Sequence, residues 1–186
     1  MDLPWGDKAS RKFVTNLGLI TSNGPHGYNI MTAEWTHHIS YSPGLIAINI
    51  HSHDATAENI RKTKVFGVNL ASEDQNFVSS VAGGSSGKDV DKIKVLEELG
   101  IEFYKAKNID VLLVKGAAMN AECKVKEIIK LGDHTMFVGE VVEFSSSNNS
   151  PLVYTEGKYF KIGDDIKKPP QEVLNKISAL VKKYHK

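Results

Sequence analysis

Residues 26–43, HGYNIMTAEWTHHISYSP, crowd amide, hydroxyl, indole and imidazole groups onto a strand-like pattern in which Asn29, Thr32 and Trp35 interleave with Ile30, Met31 and Ala33. Polar groups in such a setting need a partner, either protein or ligand. His51, His53 and Asp54 look like the opening of a metal site that His37, His38 or His134 could complete. A binuclear hydrolase would show His-x-His-x-Asp-His, whereas here Asp54 directly follows His53 and is not itself followed by histidine, so no metal is expected. AGGSSGKD, residues 82–89, offers glycines that let backbone amides approach an anion, with Lys88 as an added charge. It is no Walker loop: Ala82 stands where that pattern wants glycine and Asp89 where it wants a hydroxyl. A different phosphate or a plain interhelical loop remains. Ser40, Ser42 and Ser52 lie in no Gly-x-Ser-x-Gly elbow, and Cys123 falls inside an alternating strand, which makes it a core residue. Asp133 and His134, adjacent in a turn, could work as an acid/base pair.

The elements that must position these groups read mostly as strands. Residues 13–21 are β-branched and apolar and end at Ser22, Asn23, Gly24 and Pro25, which carry turn chemistry; residues 28–35 follow as a second strand, closed by Ile39, Ser40 and the turn residues Ser42, Pro43 and Gly44. Residues 45–50, LIAINI, are continuously apolar and read as a strand buried on both faces. TAENIRKTK then switches to helical spacing as a short surface helix, with Thr56 as its cap. Residues 65–70 return to strand. Ser72 and Gln75 form a capping box for a helix expected to stop at the glycines from residue 82 onward, and Val90, Ile93, Leu96 and Leu99 mark another that ends at Gly100. Strands resume at 111–114, 122–130 and 135–144, the last two joined through Leu131, Gly132, Asp133 and His134 as a hairpin. Short strands at 152–154 and 159–162 precede a final helix after Pro169 and Pro170, whose apolar stripe should dock on the barrel or on a second subunit. About seven strands with inserted helices favour a mainly β, antiparallel barrel with α additions.

Composition narrows the function. The chain has 186 residues, 41% hydrophobic and 24% charged, which suits one ordinary globular domain. No apolar run approaches the roughly 18 residues of a membrane span, and the N-terminal stretch lacks the apolar core of a secretory signal. A cytoplasmic protein without membrane contact is expected. A formal net charge of +1, from 23 basic and 22 acidic residues, leaves no electrostatic footprint for nucleic acid. The single cysteine allows no intrachain disulfide and no multi-cysteine cluster.

The order of the strings NIMTAEW (29–35), ISYSPGLIAINI (39–50), TAENIRKTKVFGVNL (56–70), GGSSGKDVDK (83–92) and GDHTMFVGEVV (132–142) resembles the flavin reductase-like family, over about residues 13–162. No one string is specific; the five in this order are. The resemblance implies an FMN-binding split barrel of Greek-key topology, homodimeric, over residues 1–166, with 167–186 as a helical extension packed on the barrel or the partner. It implies FMN rather than FAD, and NADH or NADPH as reductant. The match places Thr32, Ala33, Glu34 and Trp35 beside the flavin, with Trp35 as apolar cover and Glu34 as a backbone contact only. Asn29 and Asn49 are carried over as further contacts from the strands. His51, Ser52 and Thr56 match the turn at the phosphate end, Ser86, Gly87 and Lys88 the loop that closes over the cofactor, and His134 the histidine facing the reacting ring and the nicotinamide. The implied reaction is hydride transfer from NAD(P)H to flavin, with electrons passed to free flavin, a ferric complex or a protein. A flavoredoxin-like carrier without efficient NAD(P)H oxidation is the alternative, and a metal-dependent hydrolase built on the histidines a third. His37 and His38 are expected at the surface or an interface.

Overall fold

The computed structural model describes residues 2–4 and 6–185. In chain order the elements are β1 (Thr15–Asn16), β2 (Gly18–Ser22), β3 (Asn29–Ala33), β4 (Thr36–Tyr41), β5 (Gly44–His51), α1 (Ala55–Thr63), β6 (Val65–Leu70), α2 (Asn76–Gly84), α3 (Lys92–Glu98), β7 (Phe103–Lys105), β8 (Leu112–Val114), β9 (Met119–Leu131), β10 (His134–Ser146), β11 (Val153–Thr155), β12 (Lys158–Phe160) and α4 (Gln171–Lys183). Seven strands form one antiparallel sheet in the order β3-β2-β6-β9-β10-β5-β4, which curls until β3 approaches β5. The seam between them is the split of the barrel. Two smaller sheets, β1-β11-β12 and β7-β8, lie outside this order.

Two apolar clusters explain the curl. One holds Ile20, Ile48, Ile60, Phe66 and Phe137, with Cys123 among them. Burial, then the neighbouring Glu122, pushes the Cys123 thiol up to about 12, which fits an inert core residue. The other packs Leu19 and Ile30 against Val78 and Ala82 of α2 and Ile93 and Leu96 of α3. Successive residues of β2 thus face one cluster or the other, and all five are buried. Gly139 is required by this packing, since a Cβ there would stand 2.5 Å from Phe66 Cζ and 2.7 Å from Cys123 Cβ.

Several local expectations change. The strand expected over 13–21 is two, β1 and β2, with Phe13 exposed and Leu17 buried between them. Residues 36–41 do not simply close β3: Asn49 N–H donates to Trp35 O, and β4 pairs as a new edge strand along β5. Asp54, not Thr56, occupies the N-cap position of α1, and the expected surface helix buries Ala55, Thr56, Ala57, Asn59 and Ile60. The Ser72–Gln75 capping box is present, but α2 runs on through Gly83 and Gly84. Its final carbonyls are held by a side chain, as Lys92 Nζ donates to Ala82 O at 2.9 Å and Ser85 O at 3.2 Å. Strand β7 was not expected. No residue of α4 is buried, and its stripe of Val173, Ile177, Leu180, Val181 and Tyr184 is exposed.

Candidate functional site at the barrel seam

A cavity of about 750 Å³ opens at the seam, within the ~300–1,000 Å³ range of cofactor and small-ligand sites. Its barrel side is the end of β3 with the Glu34–Trp35 link, the end of β5 and the start of β10. Sheet register explains the convergence: His134 pairs with His51 and Met136 with Asn49 across β10 and β5, so His51 and His134 stand side by side. Their ring centroids are 4.0 Å apart at 31°, and the Trp35 indole lies 4.7 Å from His134 on a tilt of 43°. The hairpin that presents His134 is a two-residue turn with Gly132 at φ +59 in its first central position, the II′ arrangement.

Asp133 in that turn orients the imidazole. His134 Nδ1–H donates to Asp133 Oδ1 at 2.7 Å, which fixes the tautomer of the neutral ring and leaves Nε2 for other partners. This bond holds the Asp133 carboxyl below the usual carboxylate range. Among the described residues, His51, Asp133 and His134 form the one group of at least three side chains whose metal-ligating atoms lie within 4.8 Å of one another. His53 and Asp54, the residues that opened the metal reading of the sequence, are not part of it.

Of the sequence-predicted residues, Thr32, Ala33, Glu34, Trp35, Asn49, His51 and His134 line this cavity. The Thr32 hydroxyl donates to Ser79 O at 2.9 Å, so its proton is used within the protein. Ser52 lies beyond His51 in a second basin of about 670 Å³, where Ser52 Oγ and Thr135 Oγ1 are 2.9 Å apart and Arg61 donates to Ser52 O and Thr135 Oγ1. Asn29, Thr56, Ser86, Gly87 and Lys88 do not line either space. They include a separate cluster: Asn29 Nδ2–H donates to Thr56 Oγ1 at 2.8 Å, both are buried, and the backbone of Gly87 rests against the Asn29 amide. Lys88 Nζ pairs with Glu58 Oε1 at 2.6 Å, and His26 Nε2 lies 2.6 Å from Glu58 Oε2. These two bonds, that of Lys88 first, draw the Glu58 carboxyl down to about 2.

The far side of the cavity comes from parts the sequence reading did not single out. Leu3, Pro4, Arg11 and Phe13 from the N-terminal segment, with residues 154–157 from the β11–β12 hairpin, close it. Pairing of Thr15 with Tyr154 brings these segments together. Burial first, then the nearby Glu34 carboxylate, raises the Tyr154 phenol. His37 and His38, expected at the surface or an interface, are both exposed; His37 also lines the cavity, while His38 packs edge-on against Tyr41. Lys92, another residue passed over, is buried, and its desolvation lowers its ammonium to about 8, against the raising influence of the Asp54 charge.

An antiparallel split barrel with a cofactor-sized cleft at its seam is the class these features define. A family model described as flavin reductase like domain matches residues 10–163, and the chain belongs to that family. A relative from Rhodococcus sp, named NADH-dependent flavin reductase, is 25% identical over 158 residues, covering 82% of each chain. The structure of flavin reductase PheA2 in its native state superposes with a TM-score of 0.73 at 29% identity, over 88% of this chain and 100% of that one. Flavoredoxin of Desulfovibrio vulgaris (Miyazaki F) shares the fold at a TM-score of 0.75 and 22% identity, covering 90% of this chain and 97% of that one. No helix among the described residues is long and apolar enough to cross a membrane.

Proposed function

We propose that this chain is a flavin reductase that holds FMN in the seam cavity and oxidises NADH or NADPH there. The observation that carries the reading is the cavity itself, where Trp35, His51 and His134 gather around a space of flavin size in a chain of this family. The residues fit the group: apolar cover comes from Trp35, Met31 and Phe13, polar contacts from Asn49 and the backbone of residues 32–34. When bound, the flavin supplies hydride acceptance and electron release, which the side chains here cannot. Thr32, Ala33 and Glu34 serve the polar edge of the ring through their backbone. His51, Ser52 and the start of α1 favour the phosphate end, helped by the helix N-terminus. Asn29, Thr56, Ser86, Gly87 and Lys88 set the position of the loop that covers it.

His134 orients the nicotinamide against the flavin, with Asp133 fixing the ring. Positioning of this kind decides rate, because a displacement of about 1 Å costs roughly 100-fold. Residues 1–166 act as the flavin domain and 167–186 as a helical extension. A homodimer is part of the reading, supported by the exposed apolar side chains Trp35, Ile39, Tyr41 and Phe144. The acceptor is free flavin, a ferric complex or a protein. The test is His134→Ala: flavin reduction by NADH should slow by about 10- to 100-fold while FMN affinity changes less than about threefold. An unchanged reduction rate sinks the assignment. Bleaching of the bound flavin only by a reduced protein, never by NADH or NADPH, would establish the carrier instead.

A further inference from the structure

We infer that His51, Asp133 and His134 form a binding site for a divalent transition ion of zinc's class, and that an ion held there blocks the reductant. The blocking half rests on the function proposed above; the binding half does not. Sheet register brings His51 beside His134, and the tight turn places the neighbouring Asp133 against the same imidazole. Their ligating atoms lie within 4.8 Å of one another. A tetrahedral ion with bonds of about 2.0–2.1 Å needs its ligands roughly 3.3 Å apart, so only small side-chain rotations separate the present arrangement from coordination. Asp133 has the freedom to make them, since its side chain is 80% exposed at the hairpin tip.

The donor set gives the class of ion. Two imidazoles and one carboxylate suit zinc and its transition neighbours, whereas magnesium and calcium prefer an all-oxygen shell. Three protein ligands would leave at least one position open, and His51 and Asp133 border both the seam cavity and the second basin, so water can reach it. Two cations line that basin, Arg61 and Lys130, and Arg61 is engaged by Ser52 O and Thr135 Oγ1. An ion on His134 would occupy the imidazole and would add positive charge and bulk beside Trp35, where the proposed function puts the nicotinamide.

Calorimetry on untagged, flavin-free protein tests the binding half. Zinc chloride should bind at one ion per chain, with affinity falling at least about tenfold in His51→Ala and again in His134→Gln, unchanged in His38→Ala, and with no binding of magnesium chloride. Retention of the chain's melting temperature in the zinc-free variants shows that they fold. Equal zinc affinity in wild type, His51→Ala and His134→Gln overturns the site. The blocking half is read on flavin-loaded wild-type protein: zinc should abolish reduction by NADH and a chelator should restore it, and full-rate reduction with zinc bound overturns it. A failure of the flavin reading appears separately, as absence of reduction in the zinc-free control.

Discussion

Gly87→Ala separates a phosphate-covering role of the 82–89 loop from a merely structural one. A Cβ at residue 87 would stand 2.3 Å from Asn29 Oδ1, 2.6 Å from Cγ and 2.8 Å from Nδ2, and something must shift. Asn29 is 3% exposed and its Nδ2–H is committed to Thr56 Oγ1 at 2.8 Å. If the amide rotates away, a buried donor loses its partner, at about 1–3 kcal/mol. If the loop lifts instead, Ser86 and Lys88 move with it. If this loop covers the phosphate end as proposed, either response disturbs it, and FMN affinity should fall by roughly 10- to 100-fold. Riboflavin, which lacks the phosphate, should bind the variant as it binds wild type. Titration of flavin fluorescence on apoprotein measures both, and Gly84→Ala, where a Cβ meets nothing within 4 Å, is the control. An FMN affinity unchanged by Gly87→Ala, or an equal loss for riboflavin, refutes the reasoning.

Two predictions concern the scaffold. Gly139→Ala drives a methyl into Phe66 and Cys123 at the barrel centre and should destabilise the fold by about 1–3 kcal/mol or more, read as a fall in the urea midpoint; an unchanged midpoint would mean the barrel is looser than described. Lys92 is lowered to about 8 in the folded chain from an ordinary 10.5, so between those values the unfolded chain holds more protons and stability rises with pH. Wild type should therefore gain stability relative to Lys92→Met from pH 8 to pH 10.5, by at most about 3.4 kcal/mol at 1.36 kcal/mol per unit, and parallel urea midpoints across that range would contradict the burial of its charge.

The strands were legible wherever alternation or continuous apolarity survived, as in β5, β6, β9 and β10, because pleat and burial both write into the sequence with period two. The Gly132–Asp133 turn was legible for the same reason, since a two-residue hairpin demands particular residues. Residues 13–21 hid the break at Leu17 because both halves are β-branched and apolar, and only the tertiary pairing of β1 with β11 divides them. Helix α2 outlasts its glycines because Lys92, ten residues after Ala82, holds its last carbonyls; no local pattern announces such a cap. Of the residues around the cavity, Thr32, Trp35, His51 and His134 stood out in the sequence by type, whereas Asn49 was offered only by the family resemblance because it sits in a run that reads as continuously apolar. The N-terminal wall, with Arg11 and Phe13, was not, since its place depends on contacts across some 140 residues, such as the pair of Lys12 with Glu156. His37 reads only as a surface or interface residue because no local pattern announces β4 as an edge strand, and it is that edge which lies beside the seam.

The most direct measurement is the visible spectrum of the purified chain after incubation with FMN, followed under anaerobic conditions as NADH or NADPH is added. One flavin retained per chain, with its absorption bleached by the nicotinamide in a single turnover, is the predicted result. A protein that stays colourless after incubation with FMN would contradict the account.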